Sequence, residues 1–131
     1  MNTSEGELSL SEIGQVAINV HDLERATDFY RDVLGMHHLF SAPPKMAFFA
    51  CGGVRLMLAV PERDEFDHLA SILYYRVHDM EAAYRTLMAR GVRFEGEPQQ
   101  VHRTDTHELW MASFRDSEGN LLALMSEVET T

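Results

Sequence analysis

The residues that could do chemistry are scattered along the chain rather than gathered in a known motif. The seven histidines are His21, His37, His38, His68, His78, His102 and His107. His37 and His38 are adjacent, so on a strand they point to opposite faces and cannot chelate one ion together. His21 and His78 each precede a helix N-cap, which reads as a surface turn. The tightest grouping is His102 and His107 with Asp105 and Glu108, to which His68 could come close in space. The plainer alternative for it is a surface loop at a pocket mouth. No histidine spacing matches HExxH or a His/Cys zinc pattern. Cys51 precedes Gly52-Gly53, and Arg55 would lower its thiol pKa if it lay close. A small buried residue at a strand end is the simpler account. There is no GxSxG, GxGxxG or Walker loop, so acyl-transfer and nucleotide chemistry lack their usual carriers. Arg55 and Arg76 could grip a carboxylate or phosphate, or they could pair with Asp and Glu residues at a rim.

These side chains sit in a chain of 131 residues, 45% hydrophobic and 24% charged, a size that fits one compact domain or two small modules sharing a core. Eleven basic against twenty-one acidic residues give a net charge of −10. A surface this acidic repels phosphate backbones, so no nucleic-acid partner is expected. No apolar run reaches the ~18 residues needed to span a bilayer, so no membrane partner is expected. The polar, acidic start Met1-Asn2-Thr3-Ser4-Glu5-Gly6-Glu7 shows no secretion signal. The single cysteine cannot form an internal disulfide, which fits a cytoplasmic location.

The elements that must position these groups follow from periodicity. Residues 1–11 read as a flexible tail, and residues 129–131 as a frayed end. Ile13 to Val20 alternates apolar Val16, Ile18 and Val20 with Gln15, Ala17 and Asn19, which predicts a half-buried strand. Asp22 is placed to cap a helix carrying Leu23, Ala26, Tyr30, Val33 and Leu34 on one stripe, and Gly35 closes it. Short strands follow at 38–40 and 46–50, separated by Pro43-Pro44. The Gly52-Gly53 turn leads to a strand at 54–60. The pattern then recurs. A strand at 72–77 precedes His78-Asp79, and a helical stripe of Met80, Ala83, Tyr84, Leu87 and Met88 is closed by Gly91. Further strands are predicted at 92–94, at 109–115 and, after the 116–120 turn, at 121–125.

The repeat is explicit in the residues. Val20-His21-Asp22 returns as Val77-His78-Asp79, and Gly35 returns as Gly91. The fold class predicted is α+β: two βαβββ modules, residues 12–61 and 70–127, with a charged linker at 62–69. Their pseudo-twofold repeat would form a cup-shaped mixed sheet with helices on the outer faces. Each helix can cover only one face of its sheet. The rows of opposite parity, Gln15/Ala17/Asn19, Arg55/Met57/Ala59, Ile72/Tyr74/Arg76 and Leu121/Ala123/Met125, would line the concavity. The candidate ligand-binding residues are therefore Gln15, Asn19, Arg55, Met57, Ile72, Tyr74, Arg76, Trp110 and Ala123, with Trp110 and Phe114 as a wall.

Residues 13–35, from Ile13-Gly14-Gln15-Val16-Ala17-Ile18-Asn19-Val20-His21-Asp22 to Val33-Leu34-Gly35, resemble the vicinal oxygen chelate superfamily, also called the glyoxalase/bleomycin-resistance/dioxygenase group. So do Phe114-Arg115-Asp116-Ser117-Glu118-Gly119-Asn120 and the strand after it. The resemblance implies paired βαβββ modules, a cup-shaped site, a cytoplasmic small-molecule protein and frequent homodimers. It also implies a divalent metal held from four strand positions, which correspond here to Gln15, Met57, Ile72 and Ala123. Gln15 offers one neutral oxygen and Met57 a soft thioether, while Ile72 and Ala123 offer no donor. The expectation is thus that the metal site is absent and that no cofactor is bound, with Gln15 serving as a polar residue in a wet pocket. Three functions follow. The first is a metal-free protein that binds a small organic ligand in the cup. The second is a lyase, isomerase or dioxygenase using a displaced metal or metal-free acid–base chemistry through His107, Tyr74 or Glu108. The third is a dimer whose cup is filled by side chains.

Overall fold

The structure, a computed structural model, describes residues 8–130. Residues 8–14 are exposed and form no regular element, while the rest of the expected tail, residues 1–7, lies outside the described residues. The first module runs β1 (Gln15–Asn19), α1 (Leu23–Asp28), β2 (His37–Ala42), β3 (Met46–Cys51) and β4 (Val54–Ala59). The second runs β5 (Leu73–Arg76), α2 (Met80–Ala89), β6 (Gln99–Arg103), β7 (His107–Arg115) and β8 (Leu121–Glu129). Two four-stranded sheets result, ordered β1-β4-β3-β2 and β5-β8-β7-β6. In each the first strand lies parallel to the last and the remaining pairs are antiparallel. The βαβββ modules are as expected, and no closed barrel forms.

Local chemistry explains the helices. Asp22 and Asp79 sit in extended backbone, and each accepts at 3.1 Å from a backbone N–H of the first turn, Arg25 and Ala82 respectively. The helix after Asp28 widens into a π-type turn, Phe29–Val33, before Gly35 ends it at φ 74°. Gly91, at φ 92°, ends α2 with Gly91 N–H on Met88 O and Val92 N–H on Leu87 O, both 3.0 Å. That pattern needs a left-handed residue where the glycine stands.

Three sequence expectations are corrected. Residues 92–94 do not make a strand; Phe94 meets the sheet only as an isolated bridge to Phe114. A strand does form later, at β6, whose residues are all exposed. The C-terminal end is not frayed as far as Thr130: its N–H donates to Thr106 O and its hydroxyl to Asp105 O, at 2.8 and 2.7 Å.

One core serves both modules. Ile18, Tyr30, Phe49 and Leu58 from the first join Leu87, Phe114, Leu122 and Leu124 from the second. The helix-covered faces of both sheets are therefore turned toward shared interior, and the uncovered rows look outward. Polar pins reinforce this join. The Tyr30 hydroxyl donates to buried Asp116 at 2.6 Å, and burial beside that carboxylate pushes the phenol's pKa far up. Glu118 accepts the backbone N–H groups of His21 and Asp22 at 2.8 and 3.0 Å. Arg90 donates to Val33 O at 2.9 Å.

Candidate functional site

The open face of the first sheet is built by register. In the parallel β1–β4 pair Gln15 stands beside Arg55, Ala17 beside Met57 and Asn19 beside Ala59. The Gly52-Gly53 turn then places Phe48 opposite Met57 and Phe40 opposite Phe48. All these side chains share one face. Arg55 Nε donates to Gln15 Oε1 at 2.8 Å, and its guanidinium lies 5.0 Å above the Phe48 ring. Gln15 Nε2 lies 3.8 Å from Met57 Sδ. Phe40 stacks on Phe48 with ring centroids 4.5 Å apart and is itself 48% exposed. Among the described residues no carboxylate lies within ion-pair distance of Arg55, and its Nε bond to Gln15 orients the guanidinium.

The open face of the second sheet carries Tyr74 beside Ala123 and Arg76 beside Met125, with Ser113 and Met111 on β7. Ile72 stands just before β5, and it and Tyr74 are 43% and 48% exposed. Ala123 is fully buried as part of the floor. Arg76 is paired with Glu127 at 2.8 Å, so it takes the rim ion-pair alternative. His107, whose ring lies 2.9 Å from the Thr106 hydroxyl, and His102 share this open face by register.

Several expected site residues are placed elsewhere. Trp110 pairs with Ser126 on the helix-covered face, where its indole donates to Glu108 at 3.0 Å. Phe114 is 1% exposed in the core. Neither walls the open face, because Ser113 is the β7 residue opposite Ala123 and parity sends its neighbours inward. Glu108, sharing Trp110's face, is likewise removed from Tyr74 and His107. The Asn19 amide donates to Phe66 O and His68 O, so it holds the linker. Cys51 shares the core parity of Phe49 while Arg55 faces out, which separates the thiol from the guanidinium. His68 lies near His21 and Asp67. Among the described residues, no three His, Cys, Asp or Glu side chains converge as a metal site.

The two open faces do not close a cup within the chain. The sheets are separate, and the prominent cavities among the described residues are lined by other groups. Phe40 and Phe48 are the functional candidates that sequence reasoning missed. Counting back from Met57 through the Gly52-Gly53 turn would have found Phe48.

The linker carries a titratable latch. His21 Nε2 lies 2.9 Å from Asp67, and Nδ1 3.6 Å from Glu118. The hydrogen bond to Asp67 and its charge raise the His21 pKa above 6.5, and Glu118 adds to this. The latch is therefore complete below 6.5 and is lost as pH rises through the elevated value. An NMR titration should give His21 a midpoint above 6.5 that falls toward it in Asp67→Asn. An unshifted midpoint in the unmodified protein would refute the latch.

A family model for the Glyoxalase/Bleomycin resistance protein/Dioxygenase superfamily matches residues 12–124, and the chain belongs to that superfamily. A superfamily member from Sphaerobacter thermophilus is 25% identical, with a TM-score of 0.74, over 91% of this chain and 99% of its own. TnmS3, an antibiotic binding protein from a Streptomyces species, is 25% identical with a TM-score of 0.72 over 92% and 99%. The lactoylglutathione lyase of Agrobacterium tumefaciens shares the fold at 22% identity, with a TM-score of 0.72 over 90% and 95%. No curated protein matches the chain. No helix among the described residues is long and apolar enough to cross a membrane.

The superfamily's divalent ion does not fit the residues present. Of Gln15, Met57, Ile72 and Ala123, only Gln15 supplies a hard oxygen. That oxygen already accepts from Arg55 at 2.8 Å, which sets a positive charge beside the place a cation would occupy.

Proposed function

We propose that this protein binds a small organic molecule without a metal. In this reading the first-module open face of one chain and the second-module open face of another form the cup of a homodimer. The Gln15–Arg55–Phe48 arrangement carries the reading: an oriented guanidinium over the buried Phe48 ring, with the half-exposed Phe40 stacked beside it, on the face where relatives would need anionic or imidazole donors. Arg55 would meet an acidic group of the ligand, and Phe40, Phe48 and Met57 would cover its apolar part. The exposed Phe40, Ile72 and Tyr74 would be covered on assembly. Likeness to an antibiotic binding protein supports the ligand class, and the residue set with its single cysteine is compatible with a cytoplasmic setting.

An enzymatic reading, as a lyase, isomerase or dioxygenase of the same superfamily, retains Tyr74 and His107 on one face but loses Glu108 to the other. Metal-free binding and a metal-dependent enzyme separate in one experiment. Thermal-shift screening of metabolites and antibiotics should give hits whose shift is the same with divalent ions or with a chelator. Affinity should fall about tenfold in Arg55→Ala, the ~1.4 kcal/mol expected of a charge-assisted contact. Sedimentation should show a dimer. A stoichiometric metal retained through purification, or binding that requires one, would overturn the proposal.

A further inference from the structure

Eleven basic side chains share this sequence with twenty-one acidic ones, so a cation with no carboxylate beside it is unexpected. Among the described residues, seven of the eleven have a carboxylate at 3.9 Å or closer. The other four are Arg25, Arg55, Arg90 and Arg93, and three of them, Arg25, Arg90 and Arg93, line one cavity of about 880 Å³. It lies where α1 meets the segment after α2 and the β7–β8 hairpin. The carboxylates in its wall are already engaged. Asp28 and Asp32 both hold Arg31 at 2.9 Å, Glu95 holds Arg115 at 3.3 Å, and Asp116 is buried beneath its own donors. The Phe94–Phe114 bridge sets Arg93 directly across from Arg115, which also lines the cavity. Like charges so placed repel. Arg90 Nη1 donates to Val33 O at 2.9 Å, which fixes its guanidinium at the wall.

From this gathering of guanidiniums we infer that the cavity binds a small dianion, the phosphate monoester of an aromatic or apolar group. The phosphate is taken by Arg25, Arg90 and Arg93, and its charge offsets the repulsion between Arg93 and Arg115. Phe29 and Phe94, also in the wall, give carbon surface to the organic part. The net charge of −10 disfavours a long polyanion, whereas a single phosphate meets only the local excess of positive charge. The site is separate from the open faces, since Arg55 is not in its wall, and the inference does not rest on the reading of those faces.

Calorimetric titration of the full chain with phenyl phosphate, at constant ionic strength and about pH 7.5 where the ester is a dianion, tests this. One saturable site per chain is expected. Benzenesulfonate, of similar shape but with a single charge, should bind about fivefold more weakly. Arg25 and Arg93 are exposed, so Arg25→Gln combined with Arg93→Gln leaves the fold intact. That double variant should bind phenyl phosphate at least about tenfold more weakly, through loss of hydrogen bonds between charged groups. Arg63→Gln combined with Arg85→Gln removes the same charge outside the cavity and should change the affinity less than about twofold. Four results overturn the inference. They are no saturable binding, equal affinity for benzenesulfonate, an equal loss in the two double variants, or a loss in Arg55→Gln with none in Arg25→Gln/Arg93→Gln. The last would put the anion on the open face and leave the reading of that face standing.

Discussion

Replacing Asp116 with alanine is expected to destabilise the chain by about 3 kcal/mol. The carboxylate is buried and takes four donors: the Tyr30 hydroxyl at 2.6 Å, the N–H groups of Glu118 and Asn120 at 2.8 and 2.9 Å, and the Asn120 amide at 3.1 Å. Without it these donors are left in a site too enclosed for full rehydration, at roughly 1 kcal/mol each, less what residual water restores. Tyr30→Phe removes only one of the four and should cost about 1 kcal/mol. The difference matters because Asp116 both shapes the β7–β8 hairpin and fastens it to the first module. Denaturant unfolding should show the midpoint falling with an unchanged slope. An Asp116→Ala variant within about 0.5 kcal/mol of the parent would mean the pin is not structural.

The second large effect separates two neighbouring residues. Phe49→Ala should cost about 4 kcal/mol, since its ring is fully buried between Tyr30 and His38 and leaves a cavity. Phe48 is 8% exposed and is covered by the movable Phe40 and Arg55 side chains, which can settle into the gap, so Phe48→Ala should cost less, about 2.5 kcal/mol. It should instead weaken ligand binding about tenfold, a loss of ~1.4 kcal/mol. Adjacent strand residues lie on opposite faces, so one change strikes the shared core and the other the buried floor of the open face. For a chain with about 5–15 kcal/mol of total stability, the first would leave a marginal fold and the second a more stable one. Equal stability losses, with unaltered binding by Phe48→Ala, would contradict the assignment of Phe48 to the ligand face.

The parts of this architecture legible in the sequence are those governed by short-range rules. The alternation from Gln15 to Asn19 follows from strand geometry, and the Asp22 and Asp79 caps from unpaired N–H groups at helix starts. The left-handed glycines at 35 and 91 mark the ends. The pairing of Gln15 with Arg55 and Met57 on one face was also readable, because parity and the repeat both act over a few residues. What escaped needed register between strands. Trp110 turns to the helix-covered face because the side of β7 is set by its pairing with β8 and not by its own composition. Phe40 lies beyond a bulge between His38 and Phe40 that no local pattern announces. β6 is exposed along its whole length, so it has no hydrophobic rhythm to detect. Glu118 meets His21 and Asp22 across separations of 97 and 96 residues, and the ion pair of Arg76 with Glu127 joins two strands; neither partner can be named from spacing.

Glu118's grip on the entrance of α1 bears on how the protein is made. When the first module leaves the ribosome, the carboxylate that will receive the His21 and Asp22 N–H groups has not yet been synthesised, and neither has Asp116, the acceptor for Tyr30. Translation must reach the final hairpin before the earliest helix has all its bonds. The duplicated halves thus mature together, and an interrupted message would yield a module with an unfinished end and a phenol still seeking its acceptor.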